Sequence, residues 1–218
     1  MIKEFAKSVV RALPAGLQRQ IKAAYRTGRR NQLIKKWRSE GSPLPPPHAL
    51  KQAVIEEYQQ KSGIKILVET GTYYGDMVMA QKDNFSGVYS IELGLDLWEQ
   101  AKKRFEPYRH IEILQGDSGK VLLELVPRLT GPAIFWLDGH YSAGVTALGE
   151  KVCPVFEELD AIFKDGSTSH ILLIDDARLF KGDGDYPAIG DLEQYMTRKN
   201  PAYHMEIRDD VIRFTVPK

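Results

Sequence analysis

Two rhythms of apolar and polar positions divide this chain. From Ile64 onward, short apolar runs close on polar or acidic residues: Ile64–Glu69, Val88–Glu92, Ile111–Gln115, Ala133–Asp138 and Ile171–Asp176. Each has the length of a buried strand. Between them the apolar positions fall at helical spacing: from Asp76 toward Lys82, over Leu95–Phe105, over Lys120–Val126, up to about Lys164 with Pro154 in the first turn, and over Ile189–Arg198. Tyr203–Arg208 and Val211–Val216 then meet at Asp209-Asp210, the pattern of a hairpin. Strands alternating with helices predict an α/β fold: a doubly wound, mostly parallel sheet covered on both faces, with an antiparallel C-terminal hairpin.

The first part of the chain keeps only the helical rhythm. Ile2, Phe5, Val9, Val10 and Leu13 alternate with cations up to Pro14, and a longer helix is predicted from Ala15 to Arg38. Gly41-Ser-Pro-Leu-Pro-Pro-Pro47 is a stiff linker, followed by a helix at about Ala49–Lys61 that ends at Gly63. Two domains are therefore expected: a helical arm with linker over residues 1–47 and an α/β domain over 48–218. Charge sharpens the division. Residues 1–40 contain eleven Lys or Arg against Glu4 and Glu40, a net +9. The whole 218-residue chain carries +1, which leaves −8 on the rest. Such a balance gives no global field for nucleic acid. The arm fits either a membrane-surface or partner-binding role, or a solvated helix packed on the body or on a second subunit, and a homodimer is compatible with it. A single cysteine, Cys153, excludes a disulfide framework and fits a cytoplasmic protein, with the inner membrane face as the place for a peripheral contact.

Sheets of this kind bind ligands at the carboxyl ends of their strands. Those ends here carry Glu69, Glu92, Asp117, Asp138, Asp175 and Asp176. Any one of them alone reads as a helix cap or turn residue; their common placement on one rim suggests a site. After the first strand comes Glu69-Thr70-Gly71-Thr72-Tyr73-Tyr74-Gly75-Asp76, a tight glycine turn entering a helix. Its acids suit a ligand with a cationic or hydroxyl-rich part better than a pyrophosphate. Glu92, about 20 residues on, is placed to accept both hydroxyls of a ribose. Gly116-Asp117-Ser118 suits an adenine amino group.

Together with Ser90-Ile-Glu92, Leu137-Asp-Gly-His140 and Ile174-Asp-Asp-Ala177, these motifs resemble class I S-adenosylmethionine (SAM)-dependent methyltransferases over roughly residues 64–217. The resemblance implies a Rossmann-like fold and a SAM site built from Glu69, Thr70, Gly71, Thr72, Tyr73, Gly75, Asp76, Glu92, Gly116, Asp117, Ser118 and Asp138. An aspartate ending strand four and an acidic pair ending strand five are similar to the metal-dependent O-methyltransferases, the macrocin and sugar type among them. That likeness implies Mg²⁺ or another divalent cation on Asp138, Asp175 and Asp176. Three carboxylates are hard oxygen ligands, and a bound cation would acidify a ligated hydroxyl. His140 stands two residues past Asp138, where those relatives place a general base that is commonly acidic; metal ligand and structural cap are the other readings. Tyr141 and Ser142 are candidate substrate contacts; Arg178 either holds an acidic substrate group or pairs with a rim carboxylate; Lys181–Pro187 is a candidate lid or a plain surface loop. The expected reaction is methyl transfer to a hydroxyl of a sugar, glycoconjugate or other small molecule. The competing readings are a non-catalytic scaffold on the same fold and a metal-dependent hydrolase.

Overall fold

The computed structural model describes residues 13–139, 152–164, 166 and 169–217. These form two compact units that part between Ala53 and Val54. The first contains α1 (Ala15–Ser39), the linker and the start of α2 (His48–Ser62). In it Ile34 and Trp37 are buried against Leu50, and the Trp37 indole donates to the carbonyl of Pro43 at 2.7 Å. The predicted helix before Pro14 lies outside the described residues, as does most of the loop after the fourth strand.

The second unit follows the predicted alternation: β1 (Ile66–Thr70), α3 (Asp76–Gln81), β2 (Gly87–Glu92), α4 (Leu95–Phe105), β3 (Ile111–Gln115), α5 (Ser118–Leu125), β4 (Ala133–Leu137), α6 (Val155–Ile162), β5 (Ile171–Ile174), α7 (Ile189–Lys199), β6 (His204–Arg208) and β7 (Val211–Thr215). The seven strands order as β3-β2-β1-β4-β5-β7-β6. All pairs up to β5 are parallel, and β7 is antiparallel to both β5 and β6. This is a Rossmann-like α/β sheet, as the alternation predicts. Several ends shift by a residue or two. The fourth and fifth strands end one residue before their acids: the amides of Asp138 and Asp175 still bond the Thr70 and Leu137 carbonyls, at 3.2 and 3.0 Å, and the chain leaves the strand direction at Asp176, in the left-handed region (φ 57°).

Side-chain alternation along the strands fills two cores. In β4, Ile134 and Trp136 join Leu67, Val88 and Leu173 under α2, α3 and α4, with Val54 and Ile55 of α2 among them. Phe135 and Leu137 face the other way and join Val68, Ile91, Leu172 and Phe214 under α5, α6 and α7. Trp136 is core, as its place inside a strand suggested. Each fully buried side chain of this size contributes roughly 1.5–3 kcal/mol. His170 is buried, and its Nδ1 accepts the amide of Ala133 at 3.1 Å. Among the described residues no helix is long and apolar enough to cross a membrane.

Chain order reverses between β1 and β4: from β1 the chain builds outward to β3, then returns to the other side of β1 for β4. Crossovers leave in opposite directions there, and a crevice opens above the strand ends.

Candidate active site

The β1–α3 loop folds over that crevice. Gly71 has φ +84°, and a Cβ there would run into the carbonyl of Asp138. Only glycine lets the loop close onto the end of β4. The Gly71 and Thr72 amides both bond the Ile91 carbonyl, at 2.9 and 3.2 Å. The Asp138 amide bonds the carbonyl and hydroxyl of Thr70, both at 3.2 Å. Three strand ends are thus stitched together by backbone. Gly75, also left-handed (φ 74°), enters α3 with the Phe105 ring 2.5 Å from where a Cβ would stand. Asp76, in the first turn of α3, is exposed and pairs with Arg104 at 2.9 Å; the same guanidinium donates to the Tyr74 carbonyl.

Glu69 is buried to 2% exposure and accepts the Ser90 hydroxyl at 2.5 Å. Thr72 extends the chain, its hydroxyl 2.6 Å from that of Ser90. Burial pushes the Glu69 carboxyl up to about 8; the Ser90 bond opposes this, and the Glu92 charge adds to it. Glu92 is placed differently. One oxygen accepts the amide of Tyr73 at 2.7 Å and the other that of Gly94 at 2.9 Å. It ties the end of β2 to the glycine loop and holds Tyr73 in its strained φ of 50°. Each carboxylate oxygen keeps further acceptor capacity. The rings of Tyr73 and Tyr74 stand exposed, centroids 4.2 Å apart. At the end of β3, Gly116 has φ +137° and Asp117 caps α5, its carboxylate accepting the Lys120 amide at 3.2 Å. Its capping role is thus the one seen. Ser118 is buried and donates to Glu158.

The far side of the rim departs from expectation. The carboxylate of Asp175, fully buried, accepts the amide of Asp176 at 2.8 Å. Asp176 takes the Arg178 guanidinium at 2.8 Å, and the same guanidinium reaches the buried carboxylate of Asp210 in the β6–β7 turn. Burial works against the Arg178 charge, but Asp176 and Asp210 outweigh it and raise its pKa. Among the described residues no group of three or more His, Cys, Asp or Glu is arranged to hold a metal ion. Asp138, Asp175 and Asp176 are not gathered into such a group, and one oxygen of Asp176 is taken by the Arg178 guanidinium. Arg178 is a partner of the rim rather than a free substrate contact. His140, Tyr141 and Ser142 lie outside the described residues, so the geometry bears on none of their expected roles.

Two side chains join the site that its motifs did not announce. Glu158 of α6 is 1% exposed and bonds Ser118 and Thr70. Among the described residues its Oε1 has no hydrogen-bond partner, and it lies 3.0 Å from where a Gly139 Cβ would be. Burial drives this carboxyl up to about 7, those two bonds oppose the shift, and the charges of Asp117 and Glu157 add to it. Its signal was available: Val155, Glu158, Leu159 and Ile162 fall at i, i+3, i+4 and i+7, which puts a carboxylate on the inward face. Tyr186, within Lys181–Pro187, is the second. Burial raises its phenol, and the charges of Cys153, Asp176 and Asp138 push the same way. Both aspartates thus lie within electrostatic range of its ring. Irregular loop sequence gives no period from which this could be read.

No family model and no curated protein matches the sequence. Solved structures do. A Podospora anserina methyltransferase, PaMTH1, bound to SAH superimposes with a TM-score of 0.55 at 14% identity, over 94% of this chain and 98% of that one. The O-methyltransferase TomG from Streptomyces achromogenes, involved in tomaymycin synthesis and in complex with SAM, gives 0.56 at 14%, over 87% and 89%. An O-methyltransferase from Bacillus cereus with SAH gives 0.56 at 12%, over 87% and 90%. At these identities the likeness establishes the Rossmann-like methyltransferase fold.

Proposed function

We propose that this protein is a SAM-dependent O-methyltransferase acting on a hydroxyl of a small-molecule or glycan acceptor. One observation carries the reading: the Gly71 turn is pinned against Asp138 at the switch between β1 and β4, with Glu92 fastening its far side. That pins a glycine loop, two carboxylates and the end of β4 around one crevice. The likeness to SAM- and SAH-bound methyltransferases supports the same assignment.

SAM, when bound, supplies an electrophilic methyl carbon on a sulfonium. The protein's part is to orient and to take a proton. Glu92 offers its remaining lone pairs to the ribose hydroxyls. Glu69, buried and held near neutrality, gains its charge when a cationic ammonium arrives above it. Asp117 and Ser118 border the adenine side. With SAM bound, the acceptor hydroxyl would take the methyl group, and its proton would pass to a base of the protein, the role we assign to His140 from its spacing to Asp138.

Titration calorimetry with SAM tests the donor half, and mass spectrometry of products from sugar and phenolic acceptors tests the other. Absence of a binding signal at millimolar SAM would sink the proposal. Glu92→Ala is expected to weaken SAM binding by roughly 1–3 kcal/mol, the loss of a charged acceptor together with its hold on the loop.

A further inference from the structure

Methyl transfer leaves α1 unexplained. Its 25 residues include five arginines, three lysines and no acidic residue. At 1.5 Å per residue it is about 37 Å long. It carries two apolar sets. Ile34 and Trp37 are buried against Leu50. Leu17, Ile21 and Tyr25, four residues apart, are instead exposed to 43%, 36% and 66%. At about 100° per residue, the centre of this stripe lies roughly 170° around the helix from Ile34 and Trp37. The stripe is therefore no continuation of the buried seam. Gly28 falls on it too, and a Cβ there would meet nothing within 4 Å. Arg26, Arg29 and Arg30 lie from the flank of the stripe to the side opposite it, roughly 80–180° from its centre.

We propose that the Leu17–Ile21–Tyr25 face of α1 seats on an anionic lipid bilayer, with the cations of the helix at headgroup level. Apolar side chains exposed at helical spacing are stabilised by an apolar cover. Of the surfaces that could supply one, an anionic bilayer answers both features at once: acyl chains take the stripe and headgroup charge takes the lysines and arginines. A second copy of α1 would cover the stripe but set eight cations against eight with no acid between them. A polyanion would meet the charge and leave the stripe in water. The inference stands apart from the methyltransferase assignment.

The test uses the full chain. Co-sedimentation with vesicles of phosphatidylcholine alone and of phosphatidylcholine with phosphatidylglycerol is expected to bring the protein down only with the anionic ones. Leu17→Ser with Ile21→Ser and Tyr25→Ser is expected to abolish that partition, and Arg29→Gln with Lys35→Gln to weaken it about 30-fold at low salt. Thermal denaturation of the same variants, with the main transition unchanged, shows that the body still folds. Equal binding to both vesicles, none to either, or retention by the stripe variant overturns the proposal. So does a lipid-free dimer in sedimentation velocity that the stripe variant dissolves, or a nucleic-acid shift that displaces vesicles.

Discussion

At the scale of single residues, one glycine and two buried carboxyls govern the site. Gly71→Ala needs both a positive φ and space that the Asp138 carbonyl already fills. It is expected to cost roughly 1–3 kcal/mol of stability and to abolish detectable SAM binding, read by thermal denaturation and calorimetry. Glu69 and Glu158 sit at about 8 and about 7 against an ordinary 4.5, so the folded chain holds these protons more tightly than the unfolded one. Their stabilising contribution is complete below about pH 4.5 and is lost as pH rises through about 7–8. Glu158→Gln keeps the hydrogen-bonding shape without the ionisation. Denaturant unfolding between pH 5 and about 8.5 should therefore show a shallower loss in the variant, by up to about 3 kcal/mol at the alkaline end. An unchanged slope would mean that Glu158 is not buried beside Thr70 and Ser118.

At the scale of elements, the clasp between the β5 end and the β6–β7 turn decides the chemistry of the rim. Arg178 donates its backbone amide to Asp210 at 2.8 Å and its guanidinium to both Asp176 and Asp210, while the Ala177 amide bonds the Asp210 carbonyl at 2.9 Å. Asp209 and Asp210 hold the tight turn with φ of 53° and 63°. Arg178→Ala leaves the Asp210 carboxylate buried without its cation and is expected to cost about 2–4 kcal/mol in chemical denaturation. The same change removes a cation from Asp176, so the variant should bind Mg²⁺ more tightly than the parent chain in calorimetry. Equal affinities would show that Arg178 does not compete with a cation. The acids at these strand ends are plain in the sequence. A pairing of Arg178 with a rim carboxylate was one of two readings open there; that Asp210 joins it was not legible, because Asp210 lies 32 residues beyond Arg178 and comes near only through the β5–β7 pairing.

At the scale of the molecule, charge and packing separate in the same way. The arm is strongly cationic and the body acidic, and two compact units part within α2. The polyproline linker marks the boundary a few residues early, since α2 gives Leu50 to one cluster and Val54 and Ile55 to another. A chain of residues 48–218 is expected to fold and to bind SAM with affinity within about threefold of the full protein, because no residue of the proposed donor site lies before Glu69. A large loss would mean that the arm completes the site.

The order of elements was legible from the sequence, because period and strand length follow from which side chains must be buried. So were the glycine turn and the row of acids at the strand ends. Tertiary structure alone decided what those acids do. Asp117 caps a helix, Glu92 fastens a loop, Asp176 is met by Arg178, and Glu158 enters the floor from a helix. A carboxylate's role is set by which charges and amides fold against it: some lie two or three residues away, as Arg178 from Asp176, and others, as Tyr73 for Glu92 or Thr70 for Glu158, come near only in the folded chain.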